Sequence, residues 1–524
     1  MTAGDQTDVI RFVTSPAAFG ATPSTPVERI DTHGAVVALC ADRVLKLKRA
    51  VTYSFLDYGT VAKRKAACES ELAINRRTAP DIYLDVKAIT RDGSGTLAMD
   101  GDGDPVDYVV VMRRFDQEGL FDRLAATGQL TSGLIDGASD AVARLHDTAA
   151  LRPDHGGSDG MAWVIDGNLN DIASFVPAVF AEADVQDLVR LTRNAFDTRR
   201  DLLESRRQSG SVRHCHGDLH LRNLCLIDGQ PTLFDAIEFN DRIACCDVLY
   251  DLAFLVMDLI ARDLPELANR SLNRYLWRTG DWSGMPAFRL FLSCRAAVRA
   301  KASALSIDTQ PDEPGRRDAI GRARRYVALA TELLLAEPPR LVSVGGLSGT
   351  GKSTLAAALA PGLGTAPGAV VLRSDVLRKR LFNQPFESPL DQAAYQPAVT
   401  RKVYEKANAL AEALLAAGWP VVADAVYANK DERDGIEAIA TKNGVPFTGL
   451  WLNAPLSALR TRVDQRHGDA SDADGAVVAR QAERDLGAVA WRCVDASGLP
   501  AETLARAKTV IDDNPEVATS DQRS

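Results

Sequence analysis

The sequence carries no surplus of positive charge: 61 lysines and arginines face 70 aspartates and glutamates, a net charge of −9 at pH 7. A chain this acidic lacks the general positive field that holds proteins on nucleic acid or anionic membranes, so nucleic acid is an unexpected partner. Long uncharged apolar runs are missing too. The most apolar stretch, Cys245 to Ile260, contains Asp247, Asp251 and Asp258. Three carboxylates are too costly to bury in lipid, and no membrane-spanning helix is expected. The first residues, MTAGDQTDVI, offer neither a basic n-region nor an apolar h-region, so nothing there is expected to direct the chain through a membrane. Eight cysteines (Cys40, Cys68, Cys215, Cys225, Cys245, Cys246, Cys294 and Cys493) include no C-x-x-C pair and no zinc-like spacing. In a chain too large to need disulfide staples they read as reduced thiols of a cytoplasmic protein. The sequence contains no internal repeat.

What is present is an ordinary globular composition, 46% hydrophobic and 25% charged. A chain of 524 residues is too long for one core and is expected to divide into about two to four domains. Residues 1–25, rich in Thr, Ser, Pro and Ala, read as a tail or a loose cap. A first domain over 26–337 begins with a small β-rich lobe, about 26–115, with strands between Gly34 and Lys48, a helix over Val61 to Ala79 and a strand over Tyr108 to Met112. A helical lobe, about 116–337, follows, interrupted by a turn-rich segment from Cys215 to Phe239. Glu337-Pro338-Pro339 ends the helical pattern. From 338 to 515, apolar strands at 341–345, 369–373, 420–424, 448–452 and 508–511 alternate with helical segments, which implies an α/β doubly wound parallel sheet. The fold class is therefore a bilobal α+β domain followed by an α/β domain, with a polar tail over 516–524.

The second domain opens on Gly346-Leu347-Ser348-Gly349-Thr350-Gly351-Lys352-Ser353, a complete G-x-x-x-x-G-K-S between a strand and a helix. Its glycines let backbone N–H groups converge on phosphate, Lys352 neutralises β/γ charge, and the Ser353 hydroxyl can ligate Mg²⁺. Gly346, Gly349, Gly351, Lys352, Ser353 and Thr354 are the expected nucleotide-binding residues. Asp375 and Arg378 follow the strand ending at Arg373, at the sheet edge where ligands of open α/β sheets bind. Asp375 is expected to orient or deprotonate an acceptor hydroxyl, with a helix cap as its plainer role. Asp424 ends the next strand and is a metal or substrate candidate. Arg460, Arg462 and Arg466 lie on a helical stretch ending in His467-Gly468-Asp469; Arg462 and Arg466 are read as lid arginines on the transferring phosphoryl group, with a solvated basic face as the alternative. These residues resemble the small P-loop kinases, the group of gluconate kinase, polynucleotide kinase, zeta-toxin and chloramphenicol kinases. That resemblance covers about 338–515 and implies that Asp375 and Arg378 meet the acceptor. No second acidic pair or arginine finger of a ring-forming motor is found.

A second constellation lies upstream: His214-Cys215-His216-Gly217-Asp218-Leu219-His220-Leu221-Arg222-Asn223, then Leu233-Phe234-Asp235-Ala236-Ile237-Glu238-Phe239. His216, Asp218 and Asn223 reproduce the kinase loop H-x-D-x-x-x-x-N, followed by a metal-binding aspartate on the next short strand. Asp218 would accept the hydroxyl proton, while Asn223 and Asp235 would hold Mg²⁺. Side chains two apart share a strand face, so Val44 can cover adenine while Lys46 reaches the phosphates, with Lys48 on the same face as its rival. Glu71, with Glu69 as the alternative, is the expected ion-pair partner. The His-Gly-Asp form is similar to that of aminoglycoside phosphotransferases and related small-molecule kinases. The resemblance implies that Asp251 supports the catalytic loop and that the strand Tyr108 to Met112 is the hinge; no kinase-type Gly-rich loop is evident. Two kinase-type sites follow as the expectation, each moving the ATP γ-phosphoryl group to a hydroxyl of a small-molecule acceptor. The alternatives are a P-loop module that regulates one kinase site, or a P-loop domain acting on nucleic-acid ends.

Overall fold

Strand alternation builds the first sheet. The structure, a computed structural model, describes residues 6–53, 56–465 and 470–513. The chain divides into two compact units, Met1–Val164 with Arg200–Asp258 and Ile165–Arg199 with Leu259–Ser524. In the first, strands β1 (Glu28–Asp31), β2 (Ala35–Cys40), β3 (Arg43–Lys48), β4 (Tyr83–Arg91), β5 (Leu97–Met99) and β6 (Asp104–Arg113) pair antiparallel in the order β1-β2-β3-β6-β4-β5. Successive side chains point to opposite faces. Val109 and Val111 therefore enter one core, while Val110 and Met112 enter another.

The first of these cores corrects the expectation of a tail over 1–25 in favour of a cap, for the described residues from 6 on. Helix α1 (Thr7–Val13) and the 3-10 turn Pro16–Phe19 lay Val9, Val13 and Ala18 against Val36, Ala38, Leu45 and Val109. The sheet leaves an apolar face that must be covered, and so few apolar residues suffice that no periodicity marks them. On the other face packs α2 (Val61–Asn75), whose N-cap Thr60 accepts the Lys63 N–H and which turns Cys68 and Glu71 inward. Helix α3 (Val248–Ile260) is buried along nearly its whole length, as an all-round apolar helix must be. Asp247, just before it, is answered by a two-pronged Arg206, Nε to Oδ2 at 2.7 Å and Nη2 to Oδ1 at 2.8 Å.

The second unit contains helix α4 (Pro265–Thr279) and a five-stranded sheet of β7 (Leu341–Gly346), β8 (Val370–Arg373), β9 (Val421–Asp424), β10 (Phe447–Asn453) and β11 (Arg492–Asp495). All pairs are parallel and the order is β8-β9-β7-β10-β11, so the chain switches direction at β7. Crevices at such switch points are where ligands of open sheets bind. Around it lie α5 (Lys352–Leu359), α6 (Ser374–Leu381), α7 (Leu456–Asp464), α8 (Gly475–Ala482) and α9 (Pro500–Asp512). Residues 508–511, expected as the fifth strand, belong to α9, which has Pro500 in its first turn and buries Thr503, Ala507 and Ile511 at four-residue spacing. The β-branched run 509–511 looks like a strand only when those upstream residues are left out. The actual fifth strand, Arg492-Cys493-Val494-Asp495, buries Val494 alone and shows no apolar run.

Strand β8 is an edge strand, and α4 covers its open side. Asn269 Nδ2 donates to the carbonyls of Pro367 (2.8 Å) and Ala369 (2.9 Å). The Val371 N–H donates to Asn273 Oδ1 at 2.7 Å, and Trp277 Nε1 donates to the Val371 carbonyl at 2.9 Å. The match is geometric: four helical residues rise about 6 Å and two strand residues about 6.6 Å, so every fourth helix position meets every second strand position. Unpaired edge groups are thereby removed from a strand that would otherwise invite pairing with another chain. Asn273→Ala leaves the buried Val371 N–H without its acceptor and is expected to lower stability by about 2 kcal/mol. Urea unfolding of the full chain checks it.

Among the described residues, no helix is long and apolar enough to cross a membrane.

Candidate active sites

In the first unit α3 grips the loop 215–223, which runs into a two-stranded hairpin of Leu224–Ile227 and Gln230–Leu233 ahead of Asp235. Asp251, fully buried, accepts the His216 N–H at 3.0 Å and the Gly217 N–H at 2.8 Å, and faces His146 Nε2 at 3.0 Å. Asp258, seven residues on and so on the same helix face, accepts the Leu221 N–H at 3.0 Å. The two carboxylates hold both ends of the stretch carrying Asp218. Asp251→Asn turns an NH2 donor toward backbone donors and is expected to cost about 3 kcal/mol, read as a lower midpoint of thermal unfolding. Burial lowers the pKa of His216, against the opposing charges of Asp251 and Asp218. Its Nε2 lies 2.9 Å from the Phe234 carbonyl, a contact a neutral ring makes as donor.

Asn223 Nδ2 donates to the Asp218 carbonyl at 2.8 Å and to Asp218 Oδ2 at 3.0 Å, and His220 Nε2 lies 3.3 Å from the same oxygen. The Asp218 side chain remains 36% exposed, open to an incoming group. Asp235 takes a left-handed backbone, φ 61°. Its own N–H donates to Tyr83 Oη at 3.1 Å and the next N–H to Asn75 Oδ1 at 2.8 Å. Those two bonds hold a conformation that costs a non-glycine residue free energy.

Lys46 joins the small-lobe sheet to this loop. Its Nζ lies 2.7 Å from Glu71 Oε1 and 2.6 Å from Asp235 Oδ1. Burial pulls the Lys46 ammonium down, but Asp235 and Glu71 outweigh it and hold the group well above its ordinary range. Lys48 also pairs with Glu71 but is sealed against Glu238, which accepts from Tyr58 Oη at 2.7 Å. With 3% of its side chain exposed against 16% for Lys46, Lys48 is the structural member of the pair. Glu69 stays at the surface beside Lys65. The Tyr58–Glu238–Lys48 contacts were not foreseen: Tyr58 lies outside any strand or helix pattern, 180 residues from its partner.

In the second unit the loop 346–351 connects β7 to α5. Gly346 (φ 136°) and Gly349 (φ 84°) adopt conformations that L side chains rarely take. A Cβ on either would also stand 2.6 Å from a carbonyl, that of Leu452 or Leu459. Lys352 Nζ donates back to the Leu347 carbonyl at 3.0 Å. Ser353 Oγ donates to Asp424 Oδ2 at 2.6 Å, and Arg373 Nε stands 3.5 Å from that oxygen. Burial raises the pKa of Asp424, opposed by Arg373, Lys352 and the Ser353 hydroxyl. Ser353 and Asp424 here, like Asn223 and Asp235 in the first unit, offer hard oxygen donors, the kind Mg²⁺ prefers.

The loop borders a cavity of about 1010 Å³, lined among others by Ser353, Thr354, Asp375, Arg378, Asp424 and Arg462. The expected phosphate and acceptor residues thus share one space. Arg378 is held rigidly: Nη1 donates to the Ala394 carbonyl at 2.6 Å and to Thr400 Oγ1 at 3.3 Å, and the guanidinium lies 4.8 Å from the Tyr395 ring centre. Arg462 donates to the carbonyls of Ala496 (2.9 Å), Ser497 and Gly498 (3.3 Å each). It therefore shapes the cavity wall after β11. Arg466 and the segment His467-Gly468-Asp469 lie outside the described residues.

Several cavity residues escaped sequence reasoning. Arg480 and Arg484 line it from α8 and the turn after it, four residues apart but in no recognisable motif. Gln481 Oε1 accepts the Ser348 N–H at 2.8 Å. Asp472, within the featureless run Asp469 to Asp474, takes Lys379 Nζ (2.5 Å), the Leu390 N–H (3.0 Å) and Tyr395 Oη (2.5 Å), tying together the wall around Arg378.

Residues 60–290 match the phosphotransferase enzyme family, and residues 341–484 match a family described as an AAA domain. The uncharacterized protein Rv2004c of Mycobacterium tuberculosis is 30% identical over 470 residues, covering 87% of this chain and 90% of that protein. Uncharacterized protein Mb2027c of Mycobacterium bovis matches to the same extent. Among solved structures, a choline/ethanolamine kinase family protein from Mesorhizobium loti is similar over 62% of this chain and 99% of its own, at 14% identity and a TM-score of 0.38. A gluconokinase from Sinorhizobium meliloti 1021 is similar over 33% of this chain and 95% of its own, at 24% identity and a TM-score of 0.24.

Proposed function

This chain belongs to the family of Rv2004c and joins an aminoglycoside phosphotransferase-like domain to a small P-loop kinase-like domain, and from that premise we propose that it holds two kinase-type sites, each passing the γ-phosphoryl group of ATP to a hydroxyl of a small molecule. The observation that carries this reading is that Asp375 and Arg378 line the same cavity as the phosphate loop. A module that only bound nucleotide would need no acceptor half.

At the first site, Lys46 clamps the phosphates while Glu71 fixes its ammonium. Asp218 takes the proton as the acceptor oxygen bonds to the γ-phosphorus and the bond to the β-phosphate oxygen breaks, releasing ADP. Asn223 keeps the Asp218 carboxylate turned to the acceptor. At the second site, Lys352 and the loop N–H groups hold the triphosphate, Asp375 receives the acceptor proton, and Arg378 fixes the acceptor's position. Mg²⁺, held by Asn223 and Asp235 at one site and by Ser353 and Asp424 at the other, supplies charge neutralisation of the triphosphate when bound.

The test is an ATP-consumption screen over alcohols, phenols, sugars and aminoglycosides, run on the full chain with Asp218→Asn, with Lys352→Ala and with both. The reading requires consumption that depends on an added acceptor and is lost with one substitution or the other. Slow acceptor-independent hydrolysis at the P-loop site would favour a second reading, in which that domain regulates the other. One contact favours it: α4, within the 60–290 match, docks on β8.

A further inference from the structure

Helix α4 does more than cover an edge. Trp277, its last residue on β8, has its indole fixed by the 2.9 Å bond to the Val371 carbonyl. Two residues further along the strand, the Arg373 guanidinium lies 5.4 Å from the centre of that indole ring. Arg373 is nearly buried, and its Nε stands 3.5 Å from Asp424 Oδ2, the oxygen that accepts from Ser353 Oγ. A line of contacts thus runs from Trp277 through Arg373 to the pair of oxygen donors at the phosphate loop. The indole ring offers the guanidinium an attractive seat and so adds a constraint to a long side chain that has several rotamers to choose from.

We propose that Trp277 is a positioning residue of the P-loop site: by seating Arg373 it fixes the Asp424 carboxylate, and so sets how tightly the site takes the metal ion that accompanies nucleotide. This rests on the reading of Ser353 and Asp424 as that site's metal ligands. The residue comes from a segment matched by the phosphotransferase enzyme family, so one family's helix completes the other family's site.

The test uses the full chain carrying Lys46→Ala, so that a fluorescent ATP analogue titrated at increasing Mg²⁺ reports the P-loop site. In that background Mg²⁺ is expected to tighten analogue binding. Trp277→Ala should raise the Mg²⁺ concentration for half the effect roughly tenfold, while Trp277→Phe, which keeps a ring face, should stay within about threefold. Asn273→Ala weakens the edge contacts without touching Arg373; it should lower the unfolding temperature and leave the Mg²⁺ midpoint in place. Metal-free analogue affinity should be the same in all of them. An unshifted midpoint in Trp277→Ala, or an equal shift in Asn273→Ala, would overturn the positioning role and leave the site assignment standing. Analogue binding that ignores Mg²⁺ in the background protein, or is no weaker after Lys352→Ala, would overturn the metal-site reading and this inference with it.

Discussion

Asp218→Asn is expected to lower turnover at the phosphotransferase-like site by about 10³-fold, within the usual range for removal of a positioned general base. The substitution keeps the shape of the side chain. Asn223 Nδ2 retains its bond to the residue-218 carbonyl, which does not depend on the carboxylate. Lys46, Glu71 and Asp235 form a separate cluster, so nucleotide affinity should change little and the loss should fall on kcat. The measurement needs the full chain with Lys352→Ala to silence the other site, because helices from 259 onward cluster with the P-loop unit and cutting at the Glu337-Pro338-Pro339 boundary would strip α4 from β8. Unchanged turnover in that protein would remove Asp218 from the reaction.

Lys352→Ala should weaken triphosphate binding at the P-loop roughly 10- to 100-fold, the worth of one charge-assisted hydrogen bond to phosphate. The loop backbone loses the Lys352 bond to the Leu347 carbonyl but keeps its glycine conformations, and because Lys352 answers β/γ charge a diphosphate should suffer less than a triphosphate. Isothermal titration with Lys46→Ala in the background reads this directly. The same variant separates the two functional readings. Independent kinases predict unaltered turnover at the first site, whereas a regulatory module alters it, since nucleotide biases a partner only by binding its states unequally. A several-fold change with saturating substrate would move the assignment to regulation.

Much of both sites was legible because their chemistry is local in sequence. The G-x-x-x-x-G-K-S loop places its groups within eight residues and the run from His216 to Asp235 within twenty, where a known spacing implies convergence. Lys46 against Lys48 was not decidable that way. Both lie on one strand face and both touch Glu71; only the fold shows that Lys46 reaches Asp235 and Lys48 reaches Glu238. The three aspartates of 247–258 told against a membrane span, yet their actual roles needed partners from residues 206 to 221. The α4 clamp was invisible for the same reason: two asparagines in a helical pattern are unremarkable until a strand 98 residues away supplies its open edge. Strand β11 and helix α9 were misread where an apolar run and the burial pattern disagree.

The clamp also fixes an order in time. Asn269, Asn273 and Trp277 leave the ribosome about a hundred residues ahead of the strand they cover, a lead of roughly 5 to 20 s at ordinary rates of synthesis. By the time 370–373 emerges, a preformed helix can be waiting, and the sticky margin of the sheet need never meet another nascent chain. Exchanging the two halves of this polypeptide would reverse that sequence of events, and such a permuted protein should aggregate during expression even if its finished fold were equally stable.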